Sequence, residues 1–168
     1  MGKLLQRKYL PLISIILLFA NCGYKFLSVK EKAVFIMPVK NSTLQPGFDT
    51  LMDRAMRQVF TEEPHFLLSG RQEESDIALK IDVKNAERRP LFYSRRDSSE
   101  IVSGGFYIEA DVQVFKSGEQ VLMETLSEHL SFSLAVSYRE EEAMGYLAKK
   151  FAAKIYFWMV EKNEKGFF

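Results

Sequence analysis

The sequence predicts an α+β fold, a two-layer sandwich in which two helices cover one face of a four-stranded, largely antiparallel sheet. Residues 76–84 and 106–115 alternate apolar and polar side chains, which is typical of strands with one wet face. Residues 48–60 and 137–161 repeat apolar side chains at helical spacing. Both helices bury their apolar stripes if they pack on the dry face of the sheet.

The chain begins with the features of a lipoprotein signal peptide. Lys3, Arg7 and Lys8 precede an apolar run over 9–20, and the only cysteine, Cys22, follows almost directly. The apolar run suits a secretory signal, whose apolar region is about 7 to 15 residues long. A helix that spans a bilayer needs about 20.

Cys22 is therefore the predicted attachment site for a diacylglyceryl group and, after cleavage, for an N-acyl chain such as palmitate. Ala20 suits the processing site, whereas Phe19 and Asn21 depart from the usual residues. The alternative is an ordinary signal peptide cut elsewhere, which would leave Cys22 as a free thiol. Lipidation explains the odd cysteine of an exported protein, and no other cofactor is predicted.

Composition narrows the class of protein. The whole chain carries +1, and the leader 1–21 holds three basic residues and no acid, so the remaining 147 of the 168 residues carry −2. This balance argues against a nucleic-acid partner. A lipidated Cys22 leaves no disulfide, so the fold must rest on packing, to which 14 Phe contribute. We divide the chain into a signal peptide (1–21), an acylated cysteine and tether (22–32), one α+β domain (33–161) and a loose tail (162–168).

In the first half of the domain, the sequence predicts a strand, a helix and two further strands. Residues 33–39 are rich in β-branched and apolar side chains, and Pro38 ends this strand or places it at an edge. The helix over 48–60 follows a turn and is closed by Pro64, and residues 65–69 suggest a further short strand. The strand over 76–84 directs one set of side chains to the core: Ile77, Leu79, Ile81 and Val83.

The segment 85–104 is the most unusual stretch of the sequence. It carries two arginine pairs, Arg88 with Arg89 and Arg95 with Arg96, and three apolar or aromatic residues between them: Leu91, Phe92 and Tyr93. Twenty residues are long for a plain connection, so it is either a hairpin tip extended by strand continuations or a functional loop. Guanidinium groups pair with phosphate or carboxylate, and the aromatic residues suit acyl chains or an apolar wall. The alternative is a solvated hairpin tip.

In the second half of the domain, the sequence predicts a β-hairpin and a long helix. Residues 116–119, Lys-Ser-Gly-Glu, form a tight turn between the strands over 106–115 and 120–134, and a change of phase in the second strand indicates a bulge. Ser137 and Glu140 match a capping box at the start of the last helix.

The residues that a catalytic or metal site requires are scarce. The chain has two histidines, His65 and His129, and no Gly-x-Ser-x-Gly motif, so no triad is predicted. Neither histidine has a second histidine or a cysteine at metal-binding spacing, and His129 is expected to be a surface or structural residue. We therefore predict a binding or assembly protein, not an enzyme.

The sequence resembles the lipopolysaccharide-assembly lipoprotein family (LptE). Residues 22–26, Cys-Gly-Tyr-Lys-Phe, carry the resemblance together with the strand over 33–39 and the Asn-Ser-Thr and Pro-Gly that follow it. The strand that begins Ser-Asp-Ile-Ala-Leu at 75–79 and the helix start over 137–142 also contribute. The chain departs from the family in its irregular processing site and its longer, arginine-bearing loop.

The resemblance implies an outer-membrane lipoprotein on the periplasmic face, which acts in lipopolysaccharide transport as the partner or plug of a β-barrel translocon. It implies no catalytic residue, and the residues themselves predict no metal site. For contact with lipopolysaccharide or the barrel, the sequence offers Arg88, Arg89, Arg95, Arg96, Phe92 and Tyr93. The alternative function is that of an envelope lipoprotein that binds and regulates a cell-wall enzyme without contacting lipopolysaccharide.

Overall fold

A computed structural model describes residues 31–93, 101–133 and 140–168 of the chain. The elements within these residues are β1 (Lys32–Ile36), β2 (Lys40–Asn41), α1 (Phe48–Glu62), β3 (Phe66–Ser69), a 3-10 turn (Gln72–Glu74), β4 (Ile77–Tyr93), β5 (Ile101–Lys116), β6 (Glu119–Ser133) and α2 (Glu140–Glu164). Cys22, Arg95, Arg96 and the predicted capping residue Ser137 lie outside the described residues. In the part of the chain described, no helix is long and apolar enough to span a membrane.

The strands form one mixed sheet with the order β3-β1-β4-β5-β6, and β2 pairs with β4 further along that strand. β1 runs parallel to β3 and β4, and β2 runs parallel to β4. β4, β5 and β6 are antiparallel neighbours. The predicted α+β class is confirmed, but the prediction of four largely antiparallel strands is corrected to a mixed sheet of six.

The parallel part of the sheet follows from the helix that separates its strands. Parallel neighbours need a connection of a dozen residues or more, and α1 supplies it between β1 and β3. Alternation along a strand shows which side chains face the core, but it does not show which strand lies next to it. The pairing of β1 between β3 and β4 was therefore not readable from the pattern.

Both helices and one face of the sheet build a single core. The residues predicted for the dry face of β4, Ile77, Leu79, Ile81 and Val83, are at most 2% exposed. The predicted apolar face of α1 is also confirmed, because Phe48, Met52, Met56 and Phe60 are buried. In α2, Leu147, Phe151, Ile155 and Met159 are fully buried. The second face of the sheet carries no helix in the described residues, and we call it the open face.

The segment 85–104 is a continuation of the hairpin. β4 runs on to Tyr93 and β5 begins at Ile101, so the strands take up most of the predicted loop. The first of the two alternatives, strand continuations, is the one observed. At the other end, Ser117 and Gly118 both have positive φ, 53° and 84°, as the predicted two-residue hairpin turn requires. The predicted bulge in β6 lies at Val121, where the pairing passes from Gln120 to Leu122.

The end of the chain differs from the expected loose tail. α2 continues to Glu164, and Gly166, with φ of 75°, ends it in a left-handed turn. The amide of Phe167 donates to the carbonyl of Lys162, so the chain reverses direction. Phe168 then packs into the core with 5% of its surface exposed. Lys32 of β1 donates to Asn163 Oδ1 (2.7 Å) and to the carbonyl oxygen of Phe168.

Candidate functional site

The long hairpin of β4 and β5 places the first arginine pair on opposite faces of the sheet. Before the bulge at Lys84, odd-numbered residues of β4 face the helices, and after it even-numbered residues do. Val83 is paired with Ala110, and Asn85 is paired with Glu109, so Lys84 is the extra residue. Arg88 is therefore paired with the core residue Phe106, on the helix-covered side, and Arg89 lies on the open face.

Arg89 is held by two neighbours on the open face. Its guanidinium carbon lies 4.2 Å from the centre of the Tyr107 ring, and its guanidinium is paired with the carboxylate of Glu87. The Tyr107 hydroxyl donates to Glu109 Oε2 at 2.7 Å. This hydrogen bond and burial raise the pKa of Tyr107. The ring fixes the guanidinium plane by cation–π contact.

Arg89 nevertheless remains accessible. Its side chain is 51% exposed and that of Glu87 is 42% exposed, so solvent reaches the ion pair from the open face. An exposed ion pair of this kind adds little stability, and a stronger anion can compete with the carboxylate. A phosphate that approaches the open face would meet a guanidinium whose orientation is already set.

Two of the remaining predicted contact residues lie at the end of β4. Phe92 and Tyr93 belong to β4, where they are paired with Ser103 and Ile101 and where the register is irregular. Arg95 and Arg96 fall between Tyr93 and Ile101, outside the described residues. The structure thus brings Arg88 and Arg89 to the same arm as Phe92 and Tyr93, with one arginine on each face.

A second polar cluster, which the sequence pattern did not single out, lies on the open face where β2 meets β4. The carboxylate of Asp82, 7% exposed, accepts hydrogen bonds from Lys84 Nζ (2.8 Å), Ser42 Oγ (2.8 Å) and Lys40 Nζ (3.4 Å). These bonds, that from Lys84 first, lower the pKa of Asp82 from 3.8 to about 2. The cluster ties β2 to β4. Lys84 Nζ also lies 3.5 Å from a carboxylate oxygen of Asp111, so two lysines face two carboxylates. The only sequence signal was the Asp-x-Lys spacing on the wet side of a predicted strand.

The two histidines lie apart. The backbone amide and Nδ1 of His65 are each 3.0 Å from the hydroxyl of the fully buried Tyr156. Burial raises the pKa of Tyr156. His129 lies on the open face of β6, paired with Tyr107, and its side chain is 74% exposed. Within residues 31–93, 101–133 and 140–168, no three His, Cys, Asp or Glu side chains are grouped as metal ligands would be.

Comparison with known proteins shows the fold. No family model matches the chain, and no curated protein matches it. Among solved structures, XCC0632 from Xanthomonas campestris, assigned to the family model DUF330, is 12% identical, with a TM-score of 0.60 over 80% of this chain and 87% of its own. The hypothetical protein CT253 from Chlamydia trachomatis is 11% identical, with a TM-score of 0.55 over 79% of this chain and 96% of its own.

A third solved structure, described as a minor lipoprotein from Acinetobacter baumannii, is 12% identical. Its TM-score is 0.52, and the match covers 80% of this chain and 96% of that protein. At these identities the similarity establishes a shared backbone arrangement. The chain therefore has a fold that also occurs in a bacterial lipoprotein.

Proposed function

We propose that the chain is an outer-membrane lipoprotein, anchored at Cys22 on the periplasmic face, that acts in lipopolysaccharide transport and assembly at the cell surface. In this role it is the partner or plug of a β-barrel translocon, and it works by binding, with no catalytic step. The leader with its single cysteine supports the anchor, and the resemblance to the LptE family supports the pathway. The fold shared with the Acinetobacter baumannii lipoprotein is consistent with the lipid anchor.

The observation that carries the proposal is the arginine pair on the β4–β5 hairpin. Arg89 has a guanidinium oriented by Tyr107 and exposed on the open face. Arg88, on the other face, is also exposed at its surface. A hairpin arm with one cation on each face can contact two anionic surfaces at once, for example a lipid A phosphate and a carboxylate of the barrel wall. Phe92 and Tyr93 follow on the same arm.

The proposed lipid anchor has a direct test. In the full-length chain, a Cys22→Ala variant should lose its acyl mass and move from the membrane to the soluble periplasmic fraction. One acyl chain gives marginal membrane binding, and two or three hold a protein stably, because each buried CH₂ contributes about 0.8 kcal/mol. A wild-type protein without acyl mass would contradict the anchor.

The hairpin site is tested by changing all four arginines, Arg88, Arg89, Arg95 and Arg96, to Ser. Circular dichroism should show an unchanged fold, while lipopolysaccharide binding or barrel co-purification should fall. A matched control changes four other exposed basic residues to Ser: Arg54, Arg71, Lys116 and Lys149. If the hairpin variant binds normally and restores a deletion strain, the hairpin has no role in this function.

A further inference from the structure

The outward side of α2 has an unusual composition. Residues 143–160 of this helix contain no Asp or Glu, and each of their exposed side chains is an aromatic residue or a lysine: Tyr146, Lys149, Lys150, Lys154 and Phe157. Lys149 turns towards α1, where its Nζ lies 3.8 Å from the carboxylate of Glu62. Spacings of four and seven residues place the other four on one side of the helix, and we call them the α2 outer face.

The two aromatic side chains of the α2 outer face are accessible. Tyr146 and Phe157 are each 59% exposed. About three turns of helix, or about 16 Å, separate them, and the two lysines lie between them. The opposite side of α2 is already buried in the core, so the helix presents apolar surface on two sides. A helix that is apolar on more than its core side has a second surface to cover.

The lysines give the α2 outer face a positive charge. Lys150 Nζ and Lys154 Nζ lie 3.1 and 3.5 Å from the same carboxylate, that of Glu128. The side chain of Glu128 is 14% exposed, whereas those of the two lysines are 45% and 43% exposed. The acid therefore lies beneath the lysines, and one carboxylate compensates two cations. The charge that reaches solvent at this face is positive.

Lysines combined with aromatic residues favour a lipid surface over a protein surface. Lysine is depleted at protein–protein interfaces, where arginine is the enriched cation, and both cations of the α2 outer face are lysines. At a bilayer, a lysine can extend its ammonium group to the lipid phosphates while its apolar stem stays lower. Aromatic rings are enriched at the level of the headgroups. Basic and aromatic side chains together are typical of helices that lie on membranes.

The predicted tether enters the domain beside the end of α2. Lys32 Nζ donates to Asn163 Oδ1 at 2.7 Å, and Asn163 follows Phe157 by about 9 Å along the helix. The chain between Cys22 and Lys32 can span at most about 35 Å. A lipid at Cys22 therefore keeps this end of α2 close to the bilayer. An anchored protein needs only a weak further contact, because its effective concentration at the surface is high.

We propose that the α2 outer face binds the surface of an anionic phospholipid bilayer. Tyr146 and Phe157 lie at the level of the headgroups, and Lys150 and Lys154 pair with lipid phosphates. The inference rests on the lipid anchor of the proposed function and goes beyond it, because it assigns the side of the domain that faces the membrane. The open face, with Arg89, then points away from the bilayer and is available to another partner.

Fluorophores attached to single cysteines test this orientation. The full-length chain is processed in cells, purified from membranes and placed in vesicles of phosphatidylethanolamine and phosphatidylglycerol that contain nitroxide-labelled lipids as quenchers. Quenching at Phe157→Cys should be about threefold stronger or more than at Leu67→Cys, since α2, about 10 Å thick, and the sheet lie between the two positions. Leu67 is 57% exposed and lies on the open face, because its neighbour Phe66 is buried in the core.

Neutral vesicles, with phosphatidylcholine in place of the anionic lipid, should reduce this difference in quenching between the two positions. Equal quenching at the two positions in anionic vesicles would overturn the proposal. A difference that stays the same in neutral vesicles would also overturn it, because the lysines would then have no role.

The wild type separates failure of this inference from failure of the anchor. A lipidated Cys22 has no free thiol, so the wild type should not take up the fluorophore. A labelled wild type would refute the anchor, and the inference with it. An unlabelled wild type, combined with equal quenching at Phe157→Cys and Leu67→Cys, would refute the inference alone.

A second measurement tests the aromatic side chains. A fluorophore on Ala153→Cys, between the two rings on the same side of α2, reports the contact without changing either ring. Tyr146→Ser with Phe157→Ser should reduce its quenching about threefold or more, because the rings hold the face at the headgroups. Leu67→Ser with Met123→Ser changes two exposed apolar residues of the open face and should leave the quenching unchanged.

Equal quenching of this fluorophore in the two double variants would overturn the proposal. Shielding of the fluorophore only when a β-barrel protein co-purifies would overturn it as well, because the α2 outer face would then bind that protein.

Discussion

Arg89 lies over the ring of Tyr107, with 4.2 Å between the guanidinium carbon and the ring centre, although its neighbour Arg88 is on the opposite face of the sheet. Outside a bulge, adjacent residues in a strand face opposite ways, so the two arginines lie in different surroundings. The bulge at Lys84 determines which arginine faces which side. Without the extra residue, Arg88 would occupy the open face and Arg89 the helix side.

The first prediction concerns this stacked arginine. Arg89→Ala should weaken binding of the full-length chain to lipopolysaccharide vesicles about tenfold or more, because a hydrogen bond to a charged group contributes about 1.5 to 3 kcal/mol. Arg71→Ala removes the same charge from an exposed ion pair elsewhere on the chain and should bind as the wild type does. Equal losses in the two variants would show that only net charge matters.

The second prediction tests the core. Leu79 and Phe151 are fully buried, on the sheet and on α2 respectively. Replacing either with Ala should lower the free energy of unfolding by about 2 to 5 kcal/mol, measured by urea denaturation. Leu67→Ala, at a side chain that is 57% exposed, is the control and should change it by about 0.5 kcal/mol or less. Unchanged stability in both core variants would refute the packing described.

The third prediction concerns Asp82 and pH. Its pKa is lowered in the folded chain, so the carboxylate stabilises the fold fully above its ordinary pKa of 3.8, and this contribution is lost as pH falls towards 2. Asp82→Asn should cost about 1 to 3 kcal/mol at neutral pH. The difference in unfolding free energy between variant and wild type should shrink on acidification through this window. A difference that is constant with pH would contradict the assigned role of the carboxylate.

The fourth prediction compares the last two residues of the chain. Phe168 is 5% exposed and Phe167 is 51% exposed. Phe168→Ala should therefore lower the melting temperature and cost about 3 kcal/mol, while Phe167→Ala should have a much smaller effect. Lys32→Ala should also destabilise, because Lys32 donates to Asn163 and to Phe168. If the two Phe variants melt alike, the end of the chain is loose, as its composition suggested.

The sequence predicted the elements better than their arrangement. Apolar periodicity located both helices and the dry face of β4, because burial imposes that periodicity directly. The apolar–polar alternation breaks at Lys84, where a bulge shifts its phase. Pro90 and two arginine pairs follow, so the sequence suggested that this strand ends at Lys84. The position of β1 between β3 and β4 could not be predicted, because alternation shows which face a strand buries and not which strands are its neighbours. Phe168 packs into the core because the chain reverses direction at Gly166. The mostly charged residues before Gly166 had suggested a loose tail instead.

The candidate site was also predicted only in part. Arginines and aromatics between two strands stood out by composition, so Arg88 and Arg89 could be named. Their separation onto two faces could not be predicted, because it depends on the single extra residue at Lys84. The Asp82 cluster was missed because Ser42 and Lys40 reach it through tertiary pairing of β2 with β4.

Co-purification of the full-length, anchored chain from membranes in mild detergent tests the central claim most directly. The proposed function predicts that a lipopolysaccharide-transport β-barrel accompanies the wild type in a stable complex and is depleted with the four-arginine variant. Recovery of a cell-wall enzyme in its place, with no transport barrel, would contradict the claim and support the alternative function.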